Sequence, residues 1–228
     1  MKRPPAGNSG GRFSVETGAG LWKTPIEIRE RPEYNRARKG GKGVYLLLGS
    51  RGGDGRAEAR ALLALALEES FGLQQMPEIA RGERGKPYFP SHPQIHFNLS
   101  HSGPLALCAV GEEPVGVDIE VLRPRSPRLP QRALTPEELV WYDARGRRWE
   151  DFYTLWTRKE SLVKYTGAGL YDPRQVQPPL PEKEGGEPLV RSWAGEDWRA
   201  ALCGRGPLPA SIRWVPSADE GQHARETL

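Results

Sequence analysis

Two carboxylates separated by a single residue lie in Val115–Glu120, which reads V-G-V-D-I-E. Side chains alternate across a β-strand, so Asp118 and Glu120 would project to one face and Ile119 to the other. Two carboxylates about 7 Å apart on one face repel each other unless a cation lies between them. A hard divalent ion such as Mg²⁺ prefers such oxygen ligands. The segment therefore predicts either a metal site or a strand with one solvated face.

A carboxylate and an ammonium group occur one turn apart on the helix predicted over Glu150–Lys164. At about 100° per residue, Glu160 lies roughly 40° from Trp156 and Lys164 roughly 80° from it, so both flank the buried face. The pair is either an ordinary ion pair worth about 0.3–0.5 kcal/mol or a third metal ligand beside a phosphate-binding lysine. Helical spacing alone does not separate these two interpretations. The stripe that defines the buried face comprises Phe152, Trp156, Lys159 and Val163.

Three further segments have the composition of ligand-binding turns. Phe97–Gly103 ends in serines, a histidine and a glycine, which would offer hydroxyls, backbone N–H groups and an imidazole to an anion. Gly85–Pro87 is a rigid cationic turn, and Gly167–Gly169 would let the backbone approach a ligand closely. Each of these segments, taken alone, is more often just a turn.

The elements that must position these residues follow from periodicity and capping signals. Thr135, Pro136 and Glu138 form the pattern of a helix start with a capping box. A helix over Asp54–Phe71 is indicated by apolar residues at i+4 spacing, with Gly72 as its stop. The predicted strands are Val44–Leu48, Ile95–Leu99, Leu105–Val110, Val115–Val121, Leu189–Trp193, Trp198–Leu202 and Ser211–Val215.

This element order predicts an α+β fold with two similarly built halves that meet near residue 112. Residues 44–112 would form the first half and residues 113–228 the second, which carries the acidic strand. Residues 1–43 are rich in Gly, Pro and Arg, so we expect an irregular basic N-terminal region there. The last dozen residues resemble a frayed tail.

Composition narrows the class of protein. The chain has 228 residues, 37% hydrophobic and 27% charged, as in soluble globular proteins. No apolar run reaches the roughly 20 residues that span a bilayer, and no signal peptide is recognisable, so we expect a cytoplasmic protein.

Cys108 and Cys203 lie in apolar runs and are expected to be reduced core residues. His92 and His96 are disfavoured as a helical zinc pair by Pro93 between them.

The net charge of +4 is concentrated near the N-terminus, where Met1–Arg60 holds thirteen Lys and Arg against six Asp and Glu. Such a basic region would attract nucleic acid, an anionic cofactor or an acidic protein partner. Charge alone does not choose among these partners.

Taken together, the motifs are far more specific than any one of them. The ordered series resembles the Sfp-type 4′-phosphopantetheinyl transferases, and the likeness covers roughly Arg81–Leu170. The motifs are G-K-P (85–87), F-N-L-S-H-S (97–102), V-G-V-D-I-E (115–120), W-T-R-K-E-S-L-V-K (156–164) and G-A-G-L (167–170).

The resemblance implies a pseudo-dimer of two α+β halves with coenzyme A bound in the cleft between them. It also implies transfer of the phosphopantetheine arm to a serine of an acyl or peptidyl carrier protein. By position, Asp118, Glu120 and Glu160 would be the Mg²⁺ ligands. Glu160 would also be the base for the carrier serine, directly or through water, and Lys164 would contact the pyrophosphate.

The remaining coenzyme A contacts are carried over in the same way. Ser100 and His101 would contact the phosphates, and the turn of Gly85, Lys86 and Pro87 would border the adenine. Upstream, Arg60 and Arg81 resemble the family arginines that hold the 3′-phosphate. The expected partners are coenzyme A and a carrier protein, without nucleic acid or membrane, and the expected state is a monomer.

The chain departs from the family pattern at its start. The family has a further strand and helix before the helix that would carry Arg60, whereas here Val44–Leu48 runs almost directly into Asp54–Phe71. Either the first half is shorter, or Trp22–Ile28 supplies the missing strand.

Two rival functions explain part of the sequence. A metal-dependent nuclease would use the acidic strand with a Glu/Lys pair, but such sites usually need Glu-x-Lys on a strand. Here Glu160 and Lys164 are separated by three residues on a predicted helix. A non-catalytic nucleic-acid-binding module would explain the basic N-terminal region but would leave the three carboxylates without a role.

Overall fold

The computed structural model describes residues 45–169, 171–183 and 185–217. The predictions of an irregular region at 1–43, with its possible strand Trp22–Ile28, lie outside the described residues. So does all but the first residue of the predicted tail.

The described chain contains nine strands and four α-helices, and most lie where the sequence predicted them. The strands are β1 (Leu46–Arg51), β2 (Ala80–Arg81), β3 (Pro87–Tyr88), β4 (His96–Ser102), β5 (Leu105–Gly111), β6 (Val115–Val121), β7 (Leu189–Ala194), β8 (Trp198–Gly204) and β9 (Arg213–Trp214). The helices are α1 (Gly55–Phe71), α2 (Leu129–Ala133), α3 (Pro136–Asp143) and α4 (Trp149–Thr166).

The strands form two main sheets and one short hairpin. The first sheet has the order β4-β5-β1-β9, in which β9 runs parallel to β1 and the other neighbours are antiparallel. The second sheet has the order β6-β8-β7 and is antiparallel throughout. The hairpin pairs β2 with β3. The described part of the chain is therefore α+β, as predicted.

Helix α1 begins and ends at residues that the sequence marked. The Asp54 side chain accepts a hydrogen bond from the N–H of Arg56 at 2.9 Å, which satisfies one free donor of the first turn. Gly72 adopts the left-handed conformation, with φ of 69°, and closes the C-terminus. The buried side of the helix packs on the first sheet, and this core includes Leu63, Leu67 and Cys108.

Helix α4 lies against the second sheet at unusually short range. A Cβ atom placed on Gly116 of β6 would lie 2.1 Å from the carbonyl oxygen of Ser161 and 2.3 Å from the nitrogen of Tyr165. Only glycine permits this approach, because both atoms belong to the helix backbone. The contact brings the acidic strand and the helix with Glu160 and Lys164 side by side.

A second apolar core joins the two main sheets. It combines Leu47 and Leu107 from the first sheet with Val117, Ile119 and Leu202 from the second, all buried. The residues that alternate with the apolar ones on β6 are Asp118 and Glu120, so β6 has the two-faced character that its sequence predicted.

The C-terminal part of the described chain returns to the first sheet. β9 pairs in parallel with β1, at Leu48 with Arg213 and Gly49 with Trp214. Arg213 also donates to Glu69 of α1 at 2.6 Å. Residues beyond 113 therefore contribute a strand to the sheet of the first half.

Three details refine the predicted elements. The predicted strand Val44–Leu48 is found as Leu46–Arg51. Helix α2 occupies a proline-rich stretch predicted to be a loop as far as Pro130, which lies in the first turn of the helix. Cys108 and Cys203 are free and buried, as predicted. No helix among the described residues is long and apolar enough to cross a membrane.

Candidate active site

Asp118 lies at the centre of a charged cluster between β6 and α4. Its side chain is only 5% exposed, and its Oδ1 atom accepts from the Lys164 ammonium at 2.7 Å. The Ser100 hydroxyl of β4 donates to the same Oδ1 at 2.9 Å, and Lys164 donates to Ser100 Oγ at 3.0 Å. Three motifs far apart in sequence thus meet at one carboxylate oxygen.

Glu120 is held in the same way, one pleat further along β6. The Ser102 hydroxyl donates to Glu120 Oε2 at 2.7 Å and accepts the N–H of Val121 at 3.2 Å. Burial raises the pKa of the Glu120 carboxyl, and the negative charge of Asp118 raises it further, whereas the Ser102 hydrogen bond lowers it. A buried pair of carboxylates in this state favours a bound cation.

Strand β4 is joined to the free edge of β6 by side chains in place of a backbone ladder. Asn98 Oδ1 accepts the N–H of Val117 at 2.8 Å. The two serines accept the N–H groups that follow the two carboxylates, from Ile119 at 3.3 Å and from Val121 at 3.2 Å. We call Asn98, Ser100 and Ser102 the polar joint. The polar joint supplies hydrogen-bond acceptors to the otherwise unpaired edge of β6. The hydroxyls of Ser100 and Ser102 also orient the carboxylates of Asp118 and Glu120.

Glu160 projects from α4 toward these two carboxylates. The Tyr171 hydroxyl donates to Glu160 Oε1 at 2.7 Å. Burial raises the pKa of the Glu160 carboxyl, and the charges of Asp118 and Glu120 raise it further. The three predicted acidic residues are therefore electrostatic neighbours, because Asp118 adds to the cost of ionising both Glu120 and Glu160.

The acidic cluster has the chemistry of a divalent-cation site without the geometry of a formed one. Among the described residues, no three His, Cys, Asp or Glu side chains are grouped closely enough to hold an ion. However, Asp118 Oδ2 is buried and has no hydrogen-bond partner among the described residues. A free carboxylate oxygen beside two further acids fits a hard cation such as Mg²⁺.

The motif around Glu160 also contains two buried cations that face away from the cluster. Lys159 is fully buried and pairs with Glu138 at 2.8 Å. Its ammonium also donates to the carbonyls of Pro173 at 2.8 Å and Val176 at 2.5 Å. These contacts brace the segment that carries Tyr171. The sequence placed Lys159 on the buried face but did not reveal its partners, because they come from other elements.

Arg158 fixes the same region from the other side. Its guanidinium donates to the Pro179 carbonyl at 3.1 and 2.6 Å and to Ser192 Oγ at 2.9 Å. Burial lowers the pKa of Arg158 to about 10, so it stays charged at neutral pH.

The predicted adenine turn lies on the predicted glycine segment. The Lys86 ammonium donates to the carbonyls of Val115 at 3.2 Å and Tyr165 at 2.8 Å. Arg81 donates to the carbonyl of Gly85 at 3.1 Å, within the turn itself. A Cβ atom on Gly167 would lie 3.3 Å from Lys86 Cδ, so the two segments are in contact. Lys86 therefore directs its charge into the protein.

The other predicted coenzyme A contacts are spread around this centre. Ser100 is buried at Asp118, whereas His101 is exposed on the same strand. A Cβ atom on Gly55 would lie 3.0 Å from His101 Cβ, so the imidazole borders the first turn of α1. Arg60 is exposed on α1 and Arg81 at the hairpin. The structure brings together Ser100, Asp118, Glu120, Glu160 and Lys164 and leaves the two arginines outside that cluster.

Comparison with known proteins agrees with the motifs. The 4′-phosphopantetheinyl transferase superfamily matches residues 114–205. A 4′-phosphopantetheinyl transferase of Bacillus subtilis is 36% identical over 153 residues, or 60% of this chain and 64% of the relative.

Two further relatives match over shorter stretches. The 4′-phosphopantetheinyl transferase Sfp of Bacillus subtilis (strain 168) is 40% identical over 90 residues, or 39% of this chain and 40% of that protein. The 4′-phosphopantetheinyl transferase AcpT of Escherichia coli (strain K12) is 41% identical over 107 residues, or 45% of this chain and 55% of that protein.

The chain thus spans 64% or less of the length of each of these three relatives. The superfamily match includes both the acidic strand β6 and the helix α4. As its ordered motifs indicated, the chain is similar to 4′-phosphopantetheinyl transferases of the Sfp type, and residues 114–205 match the superfamily.

Proposed function

We propose that the protein transfers the 4′-phosphopantetheine arm of coenzyme A to a serine of an acyl or peptidyl carrier protein, releasing adenosine 3′,5′-bisphosphate. The observation that carries the proposal is the meeting of Asp118, Glu120, Glu160 and Lys164 between β6 and α4. The relatives' names and the superfamily match at residues 114–205 support it.

The three carboxylates would hold Mg²⁺. Asp118 contributes its unpartnered Oδ2, and the polar joint holds the carboxylates of Asp118 and Glu120 in place. When bound there, Mg²⁺ supplies positive charge to the pyrophosphate and to the leaving bisphosphate. Burial and the charge of Asp118 raise the pKa values of Glu120 and Glu160 and so disfavour their ionised forms, which supports a cation at this position.

Lys164 is the protein's own cation at the reacting phosphates. In the structure its ammonium neutralises Asp118, and it remains about a quarter exposed. A lysine with three donors on a flexible stem can exchange a carboxylate partner for a phosphate oxygen. Such a contact stabilises negative charge that develops on the leaving group.

Glu160 would accept the proton of the carrier serine. Its raised pKa brings a carboxyl closer to neutral pH, where a general base works most effectively, and Tyr171 holds its orientation. General-base catalysis of this kind typically contributes about 10²–10⁴-fold. The base and the phosphate-binding lysine then lie one turn apart on one helix.

The two-half architecture belongs to the same proposal, with a boundary near residue 112 and coenzyme A between the halves. If the β2–β3 hairpin and β9 are left aside, each half has three strands, of which the first pairs with the third and the third pairs with the second. This gives β1-β5-β4 in one sheet and β6-β8-β7 in the other. In each half a long helix, α1 or α4, packs on that sheet. A repeated unit within one chain supports a monomer, since no second copy is needed to form the cleft.

Nothing in the site favours the nuclease alternative. Glu160 and Lys164 lie on a helix, whereas nuclease sites of this kind usually use Glu-x-Lys on a strand. A cytoplasmic location and the absence of nucleic-acid and membrane partners remain predictions from the sequence.

The proposal is tested by incubating the protein with coenzyme A, Mg²⁺ and a panel of apo carrier proteins. We expect the intact mass of at least one carrier to increase by a single phosphopantetheine arm. The increase should disappear with a chelator or with a carrier whose acceptor serine is replaced by alanine. No modification across the panel, or Mg²⁺-dependent cleavage of DNA by the same preparation, would contradict the proposal.

A further inference from the structure

Lys86 lies in the turn between β2 and β3, a part of the first half that contacts the end of α4. The turn is closed by backbone hydrogen bonds from Gly82 N–H to the Lys86 carbonyl at 3.0 Å and from Gly85 N–H to the Gly82 carbonyl at 2.8 Å. Gly85 has a φ of 84°, which glycine adopts without strain. The turn is thus a rigid base from which the Lys86 side chain extends.

The Lys86 ammonium binds two carbonyls of the second half. One belongs to Val115, the first residue of β6, and the other to Tyr165, in the last turn of α4. The carbonyls of a helix's last turn lack partners within the helix and carry partial negative charge. Lys86 satisfies one of them from outside the helix.

The aliphatic stem of Lys86 packs on the glycine segment that ends α4. A Cβ atom on Gly167 would lie 3.3 Å from Lys86 Cδ, and one on Gly169 would lie 3.4 Å from Arg84 Cβ. Gly167 ends α4 in the left-handed conformation, with its N–H bonded to the Val163 carbonyl. The two glycine-containing motifs, about eighty residues apart in sequence, therefore form one contact.

The carbonyls that Lys86 joins belong to the two elements of the candidate active site. β6 carries Asp118 and Glu120, and α4 carries Glu160 and Lys164. Any change in the position of α4 relative to β6 would change the distances within that cluster. A misplacement of about 1 Å in a catalytic arrangement can cost 10²-fold in rate.

We infer that Lys86 is a positioning residue, whose ammonium ties the end of α4 and the start of β6 to the β2–β3 turn and so fixes the spacing of the active-site carboxylates. The functional part of this inference rests on the proposed transferase activity. It differs from the role that the family resemblance implied, in which Lys86 contacts the cofactor at the adenine turn.

The geometry separates these two roles. An ammonium has three donors, and two of those of Lys86 are directed to protein carbonyls, so the contacts that the structure gives this group are with the protein. The backbone of the turn remains available to a ligand, because Gly85 and Arg84 are exposed. Lys86 therefore acts on the reaction through α4 and β6.

The test compares Lys86→Met with wild type by amide hydrogen exchange, which needs neither coenzyme A nor a carrier. Methionine retains much of the stem and removes the ammonium. We expect exchange at the Gly167 and Ala168 amides to become about 10-fold faster or more, while the α1 amides keep their wild-type rates. Arg84→Met, an exposed cation on the same turn, is the matched control and should leave all of these rates unchanged.

Kinetics then test the consequence for the reaction. In Lys86→Met we expect kcat for carrier modification to fall about 10-fold or more, with the Kd for coenzyme A within about 3-fold of wild type. Lys86→Gln can still donate to one carbonyl, so it should give intermediate exchange rates. It replaces Lys86→Met as the test variant if the methionine variant does not fold.

Unchanged exchange at Gly167 and Ala168 would overturn the inference, as would a large rise in the Kd for coenzyme A with kcat preserved. If wild-type protein modified no carrier while the exchange result held, the proposed function would fail and the structural bridge would stand.

Discussion

The Lys164 ammonium lies 2.7 Å from Asp118 Oδ1, so a predicted phosphate ligand and a predicted metal ligand neutralise each other. The pair spans two elements that meet only because Gly116 lets β6 approach α4. Lys164 thus occupies one oxygen of the carboxylate, while Oδ2 has no partner among the described residues.

This relationship makes Lys164 a competitor of any cation that binds Asp118. In Lys164→Met, we expect Mg²⁺ to raise the unfolding temperature more than it does in wild type, because the carboxylate no longer has an internal partner. Transfer to a carrier should nonetheless fall about 100-fold, since a donor to the phosphates is lost. A smaller Mg²⁺ effect on the unfolding temperature than in wild type would contradict this view.

Because Ser102 is part of the polar joint, we expect its replacement by alanine to destabilise the protein. In Ser102→Ala, the Val121 N–H and the Glu120 carboxylate both lose a partner, at a cost of about 1–3 kcal/mol in the free energy of unfolding. Chemical denaturation measures the difference. Ser91→Ala is the control, because Ser91 is exposed and, within the described part of the chain, bonds only to its neighbour His92, so its effect should stay within about 0.5 kcal/mol. An equal loss of unfolding free energy in Ser102→Ala and Ser91→Ala would contradict a stabilising role of the polar joint.

The close approach of β6 to α4 leaves no room for a side chain at Gly116. In Gly116→Ala, the new Cβ would meet backbone atoms of Ser161 and Tyr165 at 2.1 and 2.3 Å. Backbone atoms cannot rotate away, so we expect a loss of about 3 kcal/mol in unfolding free energy, together with a loss of transfer. Gly82→Ala, whose Cβ would make only an ordinary contact at 3.7 Å, is the stability control. A stable and active Gly116→Ala protein would show that β6 and α4 do not lie this close.

The lowered pKa of Lys86 should make the free energy of unfolding depend on pH. Burial lowers its pKa from 10.5 to about 8, although the nearby Cys203 thiol acts in the opposite direction. Between these two pH values, the unfolded chain binds a proton that the folded chain has released, so the free energy of unfolding rises with pH. Burial raises the pKa of Cys203 to about 12, so the thiol stays protonated over most of this window.

Thermal unfolding at pH 7.5 and pH 9.5 measures this effect. Wild type should gain roughly 2–4 °C relative to Lys86→Met over this interval, which corresponds to about 1 kcal/mol for a chain of this size. Burial lowers the pKa of His96, and the charge of Lys86 lowers it further, so His96 is neutral at both pH values and adds no slope. Parallel behaviour of the two proteins would contradict a buried, titrating Lys86.

Local signals in the sequence were sufficient for many elements. The capping box of Thr135 and Glu138 forms as predicted, with Thr135 N–H donating to Glu138 Oε2 at 2.7 Å. The alternation of V-G-V-D-I-E predicted both the bounds of β6 and the common face of its two acids. These features depend only on residues within one or two turns of each other.

Contacts between distant elements could not be predicted in the same way. Tyr171 reaches Glu160 because Lys159 braces the segment after α4, and no spacing rule links an isolated tyrosine to a carboxylate eleven positions away. The parallel pairing of β9 with β1 and the binding of Lys86 to Val115 and Tyr165 likewise depend on tertiary packing.

The most direct test of the central claim is the rate at which an apo carrier protein becomes phosphopantetheinylated, measured by intact mass in wild type, Asp118→Asn and Glu160→Ala. We predict that both variants lose transfer by at least about 100-fold while still binding coenzyme A in weakened form. Glu150→Ala, an exposed acid on the same helix, should transfer at the wild-type rate. Wild-type transfer rates in Asp118→Asn or Glu160→Ala would contradict the assignment of these carboxylates as the catalytic centre.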